Sequence, residues 1–79
     1  MLEVVLKSAP AARAEHIIRV VSKHNRAMTH HQQEALLKRV LGGKEEVIAR
    51  YVERHSADNV VTELAYHGAQ AEVRDAPKS

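Results

Sequence analysis

Six histidines occur in a chain of 79 residues that has no cysteine. Imidazole titrates near neutral pH and is the commonest metal ligand, so histidine spacing decides what chemistry is open. His30 and His31 are neighbours, and adjacent helical side chains point about 100° apart, which makes a poor chelate. His16 and His24 have no carboxylate at a convincing ligand spacing, and without thiols no strong metal motif remains. Most of these histidines are expected to be solvated helix residues; their full protonation at mildly acidic pH would add up to six charges to the surface. The catalytic inventory is equally thin. Ser56 follows His55, but neighbours at a helix start do not form a nucleophile and base held by a third group. Glu45 and Glu46 are adjacent and expected to diverge. Gly42-Gly43 is followed by Lys44-Glu45, without the Lys-Ser/Thr of a phosphate loop. These patterns predict no enzyme, no cofactor and no metal site.

The residues with the most suggestive spacing are basic. Arg19, Lys23 and Arg26 fall at i, i+4 and i+7, along one exposed side of a helix, with Ile18 beside them. Such a stripe steers an acidic protein surface and raises association rate and selectivity. A nucleic-acid reading uses Arg13, Arg19, Lys23, Arg26, Lys38 and Arg39 as phosphate contacts. Against it, twelve basic and ten acidic residues leave a net charge of only +2, and Tyr51 and Tyr66 are the sole aromatics. That balance does not identify a nucleic-acid binder.

The stripe must be positioned by a small body. Leu2 to Lys7 is rich in Val, is bounded by Ser8-Ala9-Pro10, and reads as a strand. Contiguous Val4-Val5-Leu6 predicts burial on both faces or a central place. A first helix over about 12–25 turns Ala14, Ile17, Ile18 and Val21 inward, with Val20 widening that face. A second begins at Thr29, where Thr29-His30-His31-Gln32 fits a capping box. It buries Leu36, Leu37, Val40 and Leu41 and stops at Gly42-Gly43. Residues 44–55 carry both helical and alternating spacing. Pattern favours helix there, whereas a third strand would support an otherwise marginal two-stranded ribbon. A third helix presents Ala57, Val60, Val61, Leu64 and Ala65 on one face and ends at Gly68. Ala69 to Val73 alternates as a closing strand, and Arg74 to Ser79 lacks apolar content.

The order strand, helix, helix, (strand), helix, strand resembles a small superfamily. It includes the Clp protease adaptor (ClpS) family and the C-terminal domain of the bacterial ribosomal stalk protein. Val5-Leu6-Lys7-Ser8-Ala9 leading into Ile18-Arg19-Val20-Val21, and Gly68-Ala69-Gln70-Ala71-Glu72-Val73, look like the stalk domain. There the first helix recruits translation factors through an Ile-Lys-x-x-Arg face. Ile18 and Arg19 match its first two members, and Ser22 stands at the Arg position. Element spacing looks more like the adaptor, which reads N-terminal destabilising residues through an Asn-Asp-Asp group and a His. Ser8, Ala9, Pro10 and Val40 occupy those positions, so the degron pocket is not expected. Glu53 matches a family glutamate used in docking to the Clp chaperone, while a nearby family Lys is Asp58 here.

These observations predict an α+β fold of order β-α-α-β-α-β, a three-stranded mainly antiparallel sheet with three helices on one face. Residues 1–74 would form one domain and 75–79 a flexible tail. The expected function is non-enzymatic protein–protein interaction, adaptor-like, through Ile18, Arg19, Lys23, Arg26 and Glu53. The expected partner is a Clp chaperone, a translation factor or another acidic surface. The alternatives are a stalk-like recruiter of a translation factor or ribosome-associated protein, and a small DNA- or RNA-binding regulator. No apolar run approaches the ~20 residues of a membrane span, no signal peptide is expected before a strand beginning at Leu2, and absence of Cys fits a cytoplasmic location.

Overall fold

The computed structural model describes residues 1–76. Strand β1 (Leu2–Ser8) is followed by a 3-10 turn (Ala11–Arg13), α1 (Ala14–His24), α2 (His30–Leu41), β2 (Glu46–Tyr51), α3 (Arg54–Tyr66) and β3 (Gln70–Asp75). The strands form an antiparallel sheet in the order β2-β1-β3, and the three helices cover one of its faces. The expected α+β class and element order are those observed.

The central place of β1 explains its continuous apolar run. Val4 and Leu6 point into the helical core, which also contains Ile17, Val20, Val21, Leu36, Leu37, Ile48, Val60 and Leu64. Val5 points to the opposite, open face of the sheet yet is also buried. Residues 46–51 form the strand that topology favours, despite their helical spacing. A bulge between Val4 and Val5 in the pairing with β2 accounts for the conflict. An extra residue there lets consecutive Ile48 and Ala49 both be buried.

The helix ends follow local chemistry. Thr29 accepts from the Gln32 amide at 3.2 Å, and the Gln32 side chain accepts from the Thr29 amide at 2.8 Å. Helices α2 and α3 stop alike, with Gly43 (φ +98°) and Gly68 (φ +86°) in the left-handed region. The next amides, of Lys44 and Ala69, turn back to the carbonyls of Arg39 and Leu64.

Three expectations need correction. Leu41 is exposed rather than buried, because it is the last residue of α2 and lies past the core-facing turn. Ala65 is exposed too, one residue beyond the inward position of Leu64. Arg74 and Asp75 belong to β3, since pairing with Glu3 and Leu2 supplies the order that apolar content does not. Of the expected 75–79 tail, 77–79 lie outside the described residues.

Candidate functional site

The basic stripe is placed by the inward side of α1. Ile17, Val20 and Val21 are buried, which fixes the helix rotation and sends Arg19, Ser22 and Lys23 to solvent. Arg26 lies beyond the end of α1, in the connection to α2. It nevertheless joins Arg19, Ser22 and Lys23 around one shallow surface depression. Four of the five expected site residues therefore cluster on α1 and its exit, but in unequal states. Ile18 is half-buried against the core and lines a second groove with Glu15, Arg19, His30 and Glu34 between α1 and α2. Lys23 donates to Glu63 of α3 at 2.8 Å. Arg19 and Arg26 have no acidic partner within 4.0 Å among the described residues. Arg19 is also shared by a third groove, between α1 and α3.

Glu53 is not part of this cluster. It precedes α3, makes no side-chain cap, and is exposed with its carboxylate 3.1 Å from His55 Nδ1. Asp58 lies one turn on, 4.0 Å from Arg54. Val40 is buried in the core, whereas Ser8 is exposed at the end of β1.

Sequence reading missed the groups gathered on Glu63. Its carboxylate takes Lys23 at 2.8 Å and His24 Nε2 at 3.1 Å. The hydrogen bond from Lys23, then that from His24, holds Glu63 below the ordinary carboxylate range. Burial first, and the Glu63 charge second, push the Tyr51 phenol up. The Tyr51 hydroxyl is buried without a protein partner. Beside this group the rings of His16 and His67 lie 5.3 Å apart. Nothing local pairs residues 23–24 with 63, about forty positions apart. The available clue was a Glu among the apolar positions of α3.

The adjacent acids diverge as expected. Glu45 binds Arg74 at 2.9 Å, whereas Glu46 binds Arg39 at 2.6 Å. His30 pairs with Glu34 one turn on, at 2.6 Å. Among the described residues no three His, Cys, Asp or Glu side chains converge as a metal site, and no helix is long and apolar enough to cross a membrane. The arrangement offers a positively charged, shallow surface bounded by two interhelical grooves. Comparison with protein-family models, curated proteins and solved structures found no match.

Proposed function

We propose that the chain is a non-enzymatic protein-interaction module of the cytoplasm, adaptor-like in its fold and lacking an N-degron pocket. Its working surface is the outer side of α1 and its exit. The observation that carries this reading is a pair of neighbouring arginines that make no ion pair among the described residues. Arg19 and Arg26 border one depression with Lys23 and lack acidic partners among the described residues, while most other described arginines are ion-paired. A surface of like charges repels itself, and an acidic partner relieves that repulsion. The half-buried Ile18 in the adjoining groove adds an apolar contact at the rim.

The favoured partner is the N-terminal domain of a Clp chaperone, with Glu53 and the exposed start of α3 as a second docking edge. A translation GTPase is the second reading, favoured by the Ile18-Arg19 pair on the first helix. Titration of each purified candidate partner into the chain by calorimetry separates them. Arg19→Glu is expected to weaken the true partner about tenfold or more, as loss and reversal of a docking charge does. Glu53→Lys should weaken the chaperone alone. Salt-sensitive shifts of DNA or RNA, with neither protein bound, would replace this reading by nucleic-acid binding.

A further inference from the structure

The two edges of the sheet are unequal. On β2, the Ile48 carbonyl is occupied by Asn25 Nδ2 at 2.9 Å, the strand is bulged, and His24, Asn25 and Met28 crowd the same edge. These are features that discourage strand addition. The pairing of β3 with β1 is also irregular, between Leu6 and Ser8, but the extra residue there lies on β1 and leaves β3 continuous; no side chain caps the β3 edge among the described residues.

The register shows which groups β3 presents. The Ala76 amide donates to the Met1 carbonyl at 2.9 Å, and the same register pairs Arg74 with Glu3 and Glu72 with Val5. In an antiparallel ladder, backbone groups alternate between neighbour and outside. Arg74 and Glu72 therefore face β1, and Ala71, Val73 and Asp75 turn their N–H and C=O groups outward. Among the described residues no hydrogen bond reaches those outward groups.

We propose that this edge pairs antiparallel with the β3 edge of a second copy of the chain, about a two-fold axis at Val73. That register sets Val73 opposite its counterpart and Ala71 opposite Asp75, so all the outward groups meet as hydrogen-bonded pairs. It also sets Glu72 of each chain opposite Arg74 of the other. Those fall at non-hydrogen-bonded positions, where facing side chains are closest. Sliding by two residues either way, which keeps the outward groups matched, places Glu72 against Glu72 or Arg74 against Arg74. Charge thus selects one register, and the strand is complementary to itself. Arg74 already bonds Glu72 of its own strand at 2.7 Å; in the pair each carboxylate accepts from two guanidiniums. Ala71 and Val73, half-buried at the rim of the core, gain cover from the partner strand.

Sedimentation equilibrium from about 10 µM to about 1 mM tests this by mass action. The wild type should rise towards twice the 8.8 kDa of one chain. Glu72→Arg and Arg74→Glu, each checked for folding by circular dichroism, should stay monomeric alone because like charges then face each other. Mixed in equal amounts they should associate, since each restores the other's complement. In the wild type, amide exchange at Ala71, Val73 and Asp75 should slow as concentration rises, with no such change along β2. A wild type monomeric throughout, variants that dimerise as well as the wild type, or protection that grows elsewhere and not on β3 would each overturn the proposal.

Discussion

Two charged surfaces of this protein behave in opposite ways. On the open face of the sheet, cations meet carboxylates. Arg50 reaches Glu3 at 3.1 Å, Arg74 reaches both Glu72 and Glu45, and Lys7 lies 3.9 Å from Glu72. Glu45 and Glu72 belong to opposite sides of β1, so Arg74 carries its charge across the central strand. On the outer side of α1, Arg19 and Arg26 meet no carboxylate among the described residues, and only Lys23 is tied down. A charge that closes a surface belongs to the fold. A charge left open by the fold is available to something else, and this contrast is what supports the proposal of recognition at α1.

The largest effect expected from breaking the contrast is on the sheet. Val5 is 2% exposed on a face that no helix covers, so its shielding comes from neighbouring strands and the long charged side chains spanning them. Val5→Ala should cost about 1.5–3 kcal/mol, the scale of burying a Val side chain. Its cross-strand partner Val47 is 37% exposed, and Val47→Ala should cost less than half as much. Urea unfolding midpoints of the two variants measure the difference. Equal losses would mean that Val5 is not sheltered by the charged network.

A smaller effect is expected at Arg50. Glu3 is 6% exposed, and Arg50 is its partner at 3.1 Å. Arg50→Ala leaves a buried carboxylate short of that partner, at a cost of about 1–3 kcal/mol. Adding Glu3→Leu should recover most of it, because removing both charges also removes the desolvation penalty. Thermal unfolding of the single and double variants checks the sign. A double variant no more stable than the single would show that the unpaired Glu3 carboxylate carries no burial penalty.

How much of this was readable from residues follows from the range of the interactions. The capping box at Thr29, the glycine stops and the inward positions of α1 depend on neighbours within a turn or two, and sequence spacing describes them. Burial of Val5 was legible because Val4-Val5-Leu6 leaves no polar side for a central strand. The identity of 46–51 was not legible from pattern, because a bulge mimics helical spacing by placing Ile48 and Ala49 together in the interior. The grouping of Arg19, Lys23 and Arg26 was legible, although Arg26 owes its place to a turn rather than to helix periodicity. The capture of Lys23 by Glu63 was not, since it depends on how α3 settles against α1. The edge register of β3 was hidden for the same reason, because it needs the pairing of β1 with both neighbours.

The smallest effect separates Lys23, tied to Glu63, from Arg19, which has no acidic partner among the described residues, and pH resolves it. Hydrogen bonds from Lys23 and His24 hold the Glu63 carboxyl below its ordinary 4.5. The unfolded chain therefore binds this proton more readily than the folded one, and ∂ΔG/∂pH is positive where the two differ. The contribution of Glu63 is fully present above pH 4.5 and is lost as pH falls below that value through the folded-state pKa. Because the carboxylate is partly open to solvent, the loss is modest and salt weakens it. Glu63→Gln should flatten that part of the acid stability profile. Arg19→Ser should leave its slope unchanged and shift stability by less than about 0.5 kcal/mol, as surface substitutions without a partner do. Denaturant midpoints collected from neutral pH to below pH 4 distinguish the two. If Arg19→Ser flattened the profile as Glu63→Gln does, Arg19 would belong to the fold's own charge network, and its assignment to recognition would fail.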